Sequence, residues 1–251
     1  MLSSDIFAYL LRLGDTTLIL AQRLSEWCGK GPAFEEDMAL ANTTLDLLGQ
    51  ARLWLTYAGE VEGKGRDEDT LAFLRDAHDF RNLLLVEQPN GDYAVTIVRQ
   101  FYFDTWYSLL LQQLTMSADA RIAEIAKQAA TEVTYHVRRS SDLVVRLGDG
   151  TEESHRRMQT AVDDLWSFTG EMFATDAVDE RLAAQSIAPN PATLRETWLQ
   201  YVTAVFLTAT LVLPRSTWMQ QGGKQGRHTE HLGYLLAEMQ FLQRAYPGAK
   251  W

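Results

Sequence analysis

The chain is poor in cysteine and proline, with one and six respectively in 251 residues. The lone cysteine, Cys28, excludes an internal disulfide framework and fits a reducing compartment. So few prolines leave long stretches without a helix breaker. Basic residues are also short: 23 Lys and Arg stand against 33 Asp and Glu, a net charge of −10. That balance excludes general binding to a phosphate backbone, which needs a basic face. It leaves room for an anionic ligand at a local basic patch. No apolar run approaches the roughly 20 residues that span a bilayer. The stretch "MLSSDIFAYLLRLGD" carries Asp5 and no basic n-region, so no signal peptide is read there. Together these absences predict a cytoplasmic protein with no nucleic-acid or membrane partner.

What is present is ordinary for a globular protein: 46% hydrophobic and 22% charged residues. A chain of this size buries about 70–75% of its unfolded surface. Seven Trp, nine Tyr and ten Phe supply large rigid anchors for a core or an interface. Apolar residues recur at three- and four-residue intervals. Leu13, Thr17, Leu20, Leu24 and Trp27 form one stripe; Met38, Ala41, Leu45 and Leu48 form another. Strand-like alternation is hard to find, so the fold class is read as all-α, a helical bundle forming one domain over 1–251.

Breakers divide the helices. "CGKGPAF" (28–34) ends the first, and "GEVEGKGRDED" (59–69) ends the second. A short third is expected from about Asp67 to Phe80. Asp92 caps the next, which runs to about Met116. "SADA" (117–120) opens another that closes at "LGDGT" (147–151), where Thr151 caps a helix expected to reach Phe173. After the loop "SIAPNPATL" (186–194) a helix runs to about Leu213. The glycine-rich loop "QQGGKQGRHTEH" (220–231) precedes a final helix to about Tyr246.

Helical bundles build di-iron sites from a Glu on each of two helices and a Glu-x-x-His on each of two others. The i, i+3 spacing puts both ligands over one turn of one face. Only Glu152-Glu153-Ser154-His155 has this spacing, and it falls in a first turn, where acids complement the helix dipole anyway. Glu132 and His136, in "ATEVTYHVRRSSDL", are spaced i, i+4: they share a face but lack the di-iron spacing. Asp46 and Asp104 sit in the apolar strings "TTLDLLGQARLW" and "RQFYFDTWYSLLL". Asp104 has Tyr107 at i+3 and Asp163 has Trp166, where a ligand histidine would stand. Buried carboxylates need a base or donor, and Arg52, Arg99, Lys127 and Arg138 are the expected partners. Such acids read either as ligands of an irregular metal site or as a bundle centre in which polar pairs replace metal.

"GGKQGRH" (222–228) only loosely resembles a phosphate loop, lacking the Gly-Lys-Ser/Thr ending. Its Lys224, Arg227 and His228, beside a helix start, are candidate contacts for an anion or an acidic partner surface. His228 and His231 at i, i+3 lack the further ligands of a zinc site. No Gly-x-Ser-x-Gly elbow is present. Cys28, near a helix end, is not placed for thiolate chemistry.

Four long blocks carry a resemblance: "LANTTLDLLGQARLWLTYAGE" (40–60), "RNLLLVEQPNGDYAVTIVRQFYFDTW" (81–106), "EVTYHVRRSSDLVVRLGDGT" (132–151) and "GGKQGRHTEHLGYLLAEMQFLQR" (222–244). In one register, from about Leu10 to Trp251, the sequence resembles the C subunits of ring-1,2-phenylacetyl-CoA epoxidase complexes. The resemblance implies a ferritin-like helical bundle with additional helices. It implies a bacterial multicomponent monooxygenase that epoxidises the ring of phenylacetyl-CoA in aerobic phenylacetate degradation. In such complexes the di-iron and acyl-CoA sites belong to the catalytic A subunit, and a reductase with flavin and iron–sulfur centres brings electrons from NADPH. The C subunit is a related bundle without the iron ligands. The expectation is therefore a structural chain with no catalytic residue, no metal and no cofactor of its own. Its expected partners are the A subunit, further members of the complex and the reductase, with self-association open. On that reading Asp46, Asp104, Glu132 and His136 are vestigial. Two alternatives from other classes are a self-sufficient ferritin-like oxidase using those four residues, and a helical acyl-CoA-binding module using "GGKQGRH".

Overall fold

The computed structural model describes residues 2–249, which are helical with no strand among them. In chain order the α-helices are α1 Leu2–Ser25, α2 Phe34–Glu62, α3 Glu68–Phe73, α4 Leu84–Glu87, α5 Tyr93–Leu114, α6 Ala120–Gly148, α7 Glu152–Trp166, α8 Ala177–Ala184, α9 Arg195–Thr208, α10 Glu230–Met239 and α11 Phe241–Ala245. They group into two compact units. The first takes the chain up to Pro89 and again from Gly222; the second is Asn90–Gln221.

The first unit is built on the hairpin of α1 and α2. Leu10, Leu13, Thr17, Leu20 and Leu24 bury one face of α1. Gly14 lets the helices approach, since a Cβ there would strike the Leu55 side chain. In α2 the buried stripe is Leu40, Thr43, Leu47, Ala51, Trp54 and Ala58. The expected core stripe Met38, Ala41, Leu45, Leu48 is on the opposite side: Leu45 is 66% exposed and Met38 48%. The helix is apolar on both faces, and packing selects one of them.

The third helix does not run to Phe80. It stops at Phe73, and only a short 3-10 turn, Ala77–Asp79, follows. Arg75 is drawn inward to a buried pair with Asp15 of α1, whose Oδ2 also accepts the Arg81 N–H at 2.8 Å. Helical continuation is exchanged there for ion pairing. The final helix also breaks, at Gln240, whose amide donates to the Ala72 and Arg75 carbonyls at 3.0 Å each.

In the second unit α5 is buried nearly all round, from Ile97 through Phe101, Tyr102, Phe103 and Tyr107 to Leu114. Helix α6 is amphipathic and turns Ile122, Ala126, Ala129, Val133, His136, Ser140 and Leu143 inward. The predicted caps are present: Asp92 accepts from Val95 N at 3.1 Å, and Thr151 from Ser154 N at 3.1 Å. Helix α7 ends at Trp166 rather than Phe173, with a 3-10 turn at Gly170–Phe173. Helix α8 was not expected, although Asp176 and Asp179 form the capping box that starts it. Helix α9 ends at Thr208 rather than Leu213, and Thr210 then takes a left-handed φ of 58°.

An aromatic cluster fills this unit. Trp198 stacks on Trp166 at 6.0 Å and meets Tyr102 at 5.7 Å and Phe173 at 5.1 Å. Each indole N–H has an acceptor: Thr105 Oγ1 for Trp198 at 2.9 Å, the Met172 carbonyl for Trp106 at 3.1 Å, and the Ser216 carbonyl for Trp166 at 3.0 Å. Large rings with their polar edges satisfied make a rigid interior.

Candidate functional site

The buried polar groups fall into two clusters, one in each unit. In the second unit α5 and α6 bring Asp104 and His136 together. Asp104 is wholly buried, and its Oδ1 accepts from Gln100 Nε2 at 2.6 Å. The other oxygen, Oδ2, has no hydrogen-bond partner among the described residues. Burial pushes the carboxyl up to about 6, against the pull of His136, Ser140, Gln100 and Arg139. The partner of Asp104 is thus a carboxamide one turn away, not the cations expected: Arg52 pairs with Glu68, Arg99 with Asn90 at 2.6 Å, and Lys127 and Arg138 are exposed.

Glu132 is half-buried on α6, one turn before the buried His136. Asp46 is half-buried on α2, in the first unit. Asp163 and Asp164 are exposed and line no interior. Among the described residues no three His, Cys, Asp or Glu side chains stand together as a metal ligand set. Asp104 and His136 alone do not fit a di-iron centre, which takes carboxylates from four helices and two histidines. The Glu152 to His155 match is a helix start. Glu153 pairs with Arg156 and Arg157, and His155 Nδ1 lies 2.8 Å from the Gly148 carbonyl. Cys28 is exposed.

The second cluster is in the first unit, at the glycine-rich loop. Lys224 is buried, Arg227 is exposed, and the His228 side chain is turned inward. His228 meets Glu87, a residue to which the sequence assigned no role. Glu87 is wholly buried at the end of α4. Its Oε1 accepts from Thr229 N and Oγ1 at 2.6 and 2.8 Å, and its Oε2 from Asn82 Nδ2 at 3.0 Å. A signal was available: "VEQPNGD" and "GRHTEH" are both strings rich in side chains that seek polar partners, but nothing local says that they meet.

A third feature is the outer face of α2. Phe34, Met38, Ala41, Leu45, Leu48 and Arg52 follow a strict four–three heptad spacing. Phe34 is 76% exposed. Ala39, Asn42 and Gly49 beside the seam are small, and nothing lies within 4 Å of a Cβ built on Gly49.

No described helix is long and apolar enough to cross a membrane. Comparison with known proteins matches residues 2–251 to a family described as phenylacetic acid catabolic protein. The chain is also 52% identical over 248 residues to the C subunit of the 1,2-phenylacetyl-CoA epoxidase of Escherichia coli (strain K12). That match covers 99% of this chain and all of the relative. The all-helical fold, the matched span and this identity make the chain a member of the phenylacetic acid catabolic protein family.

Proposed function

We propose that this chain is the structural member of a cytoplasmic multicomponent oxygenase that epoxidises phenylacetyl-CoA, and that it pairs with a homologous catalytic partner bearing the di-iron site. In this reading a separate reductase supplies the electrons. The 52% identity to the C subunit of an epoxidase, over 99% of the chain, supports the complex. The observation that carries the pairing is the outer seam of α2.

That seam spans eighteen residue steps from Phe34 to Arg52, about 27 Å of helix. Its spacing suits a helix lying along it at a shallow angle, and the small flanking residues allow close approach. It is also self-complementary. Against an antiparallel helix of the same pattern, Phe34 would face Arg52, Met38 would face Leu48, and Ala41 would face Leu45. A homologous bundle is the natural source of such a helix. Exposed apolar side chains at this spacing stabilise the assembly rather than the lone chain.

The role of the chain is then to hold the catalytic partner in shape. The filled aromatic interior of the second unit suits a scaffold, because close packing resists deformation. The test is association. Ala41→Glu with Leu45→Glu should weaken binding to the catalytic partner at least 100-fold in calorimetry. The melting temperature of the isolated chain should stay unchanged, since both sites lie on the outer face of α2. Epoxidase activity of the reconstituted complex should fall in parallel. Unchanged binding by the double variant would sink the seam as the pairing surface.

A further inference from the structure

The two ring nitrogens of His228 both face acceptors. Nδ1 is 2.9 Å from Glu87 Oε2, and Nε2 is 3.0 Å from the Phe80 carbonyl. A neutral imidazole has one N–H, so it would set a lone pair against an oxygen at one of these contacts. Only the imidazolium donates to both. Glu87 is matched to that charge. Thr229 N–H, Thr229 O–H and Asn82 N–H already point at its two oxygens, so it is an acceptor for these three and offers Oε2 to the imidazole. The pair is out of solvent, with side-chain exposures of 5% for His228 and 0% for Glu87.

The segment they pin is built to be seated. Gly226 has a φ of 78°, and a Cβ there would collide with the His78 carbonyl and the Arg81 guanidinium. Gly222 has a φ of 144°. Only glycines reach these conformations without strain, so the loop lies tightly on residues 78–81. Outside its short 3-10 turn at Gly223–Gln225, regular structure does not fix it. The seating on residues 78–81 and the Glu87 hydrogen bonds both help to hold the loop.

We propose that His228 is a buried imidazolium whose charge latches the 222–229 segment onto Glu87, making that segment a strap released as pH rises. The latch is independent of the pairing proposed for α2. Other charged side chains surround it. Arg23 of α1 donates to the Glu87 carbonyl at 2.8 Å and pairs with Glu26. Arg81 lies against Gly226, Lys224 is in the strap itself, and Glu230 opens α10. His78, beside Asp79, and His231 on α10 are the other histidines of this unit.

The sign follows from proton counting. Closed, His228 holds a proton; open, it has the ordinary imidazole value of about 6.5. Above that value, opening releases one proton. The opening constant should therefore rise about tenfold per pH unit until the latched imidazolium itself titrates. Below about 6.5 it should be level.

The experiment is hydrogen exchange on the full chain between pH 6 and 9, with intrinsic exchange rates divided out. Protection of residues 223–229 should fall about tenfold per unit above pH 6.5, while the α1 core keeps its protection. His228→Gln should show weaker protection with a flat profile. Nitrogen NMR of the labelled histidines at pH 7 should show both His228 ring nitrogens protonated. A level wild-type profile, an unprotonated His228 nitrogen at pH 7, or the same slope surviving in His228→Gln would each overturn the latch. The last result would assign the slope to His231 or His78. If the variant fails to fold, the wild-type slope and the NMR still decide.

Discussion

Glu87 and Asp104 are both wholly buried carboxyl groups on helices, one in each compact unit, and their surroundings treat them differently. Glu87 gathers four donors, one of them an imidazole, on two oxygens. Asp104 has one carboxamide donor on one oxygen, and its other oxygen has no hydrogen-bond partner among the described residues. The first is a structural anion tying chain segments 141 residues apart. The second is raised by burial to about 6. Counting donors separates a carboxylate that organises its unit from one that its unit tolerates.

The largest expected effect tests the organising member. Glu87→Leu should cost about 3–5 kcal/mol in denaturant unfolding of the full chain, because it strands a buried cation and three further donors. A loss smaller than that of an ordinary surface change would break the contrast.

Asp104→Asn should act in the opposite direction. The folded carboxyl, at about 6, lies above its ordinary 3.8, so the native state binds more protons than the unfolded one between these values. Stability of the natural chain should fall as pH rises from about 4 to about 6 and level off above. Removing the ionisation should raise stability at pH 7 by on the order of 2 kcal/mol and flatten that slope. Thermal unfolding of both proteins at pH 4, 5, 6 and 7 reads it. A variant less stable than its parent at pH 7 would show that Asp104, too, is an organising anion.

The smallest effect calibrates both. Thr151 makes its cap at the surface, so Thr151→Ala should cost about 1 kcal/mol by chemical denaturation. If it matches Glu87→Leu in size, burial is not what gives Glu87 its weight.

Much of the fold was legible. The all-α class followed from periodicity, and family membership places it among ferritin-like helical proteins. Asp92 and Thr151 were readable as caps because a cap is a local event within one turn. The capping box at Asp176 was equally local and was passed over. The bounds of α3, α7 and α9 were misjudged where local or distant contacts end a helix whose sequence could continue, as Arg75 does by turning to Asp15. Asp104 was readable as buried from its apolar neighbours. Its carboxamide partner was not, because Gln100 has no charge to advertise the pairing. Glu87 was not readable at all, since its meaning depends on His228 and Thr229 far along the chain.

By itself the sequence determined the long helices, most of their starts, the acidic balance and the family, because these rest on spacing, composition and contiguous strings. Tertiary structure alone decided which face of α2 is buried and which is left as a seam. It alone decided that His228 turns inward to a carboxylate and that Asp104 is held short of donors. Each of these depends on what is brought close from elsewhere in the chain, and burial strengthens such contacts beyond anything local spacing encodes.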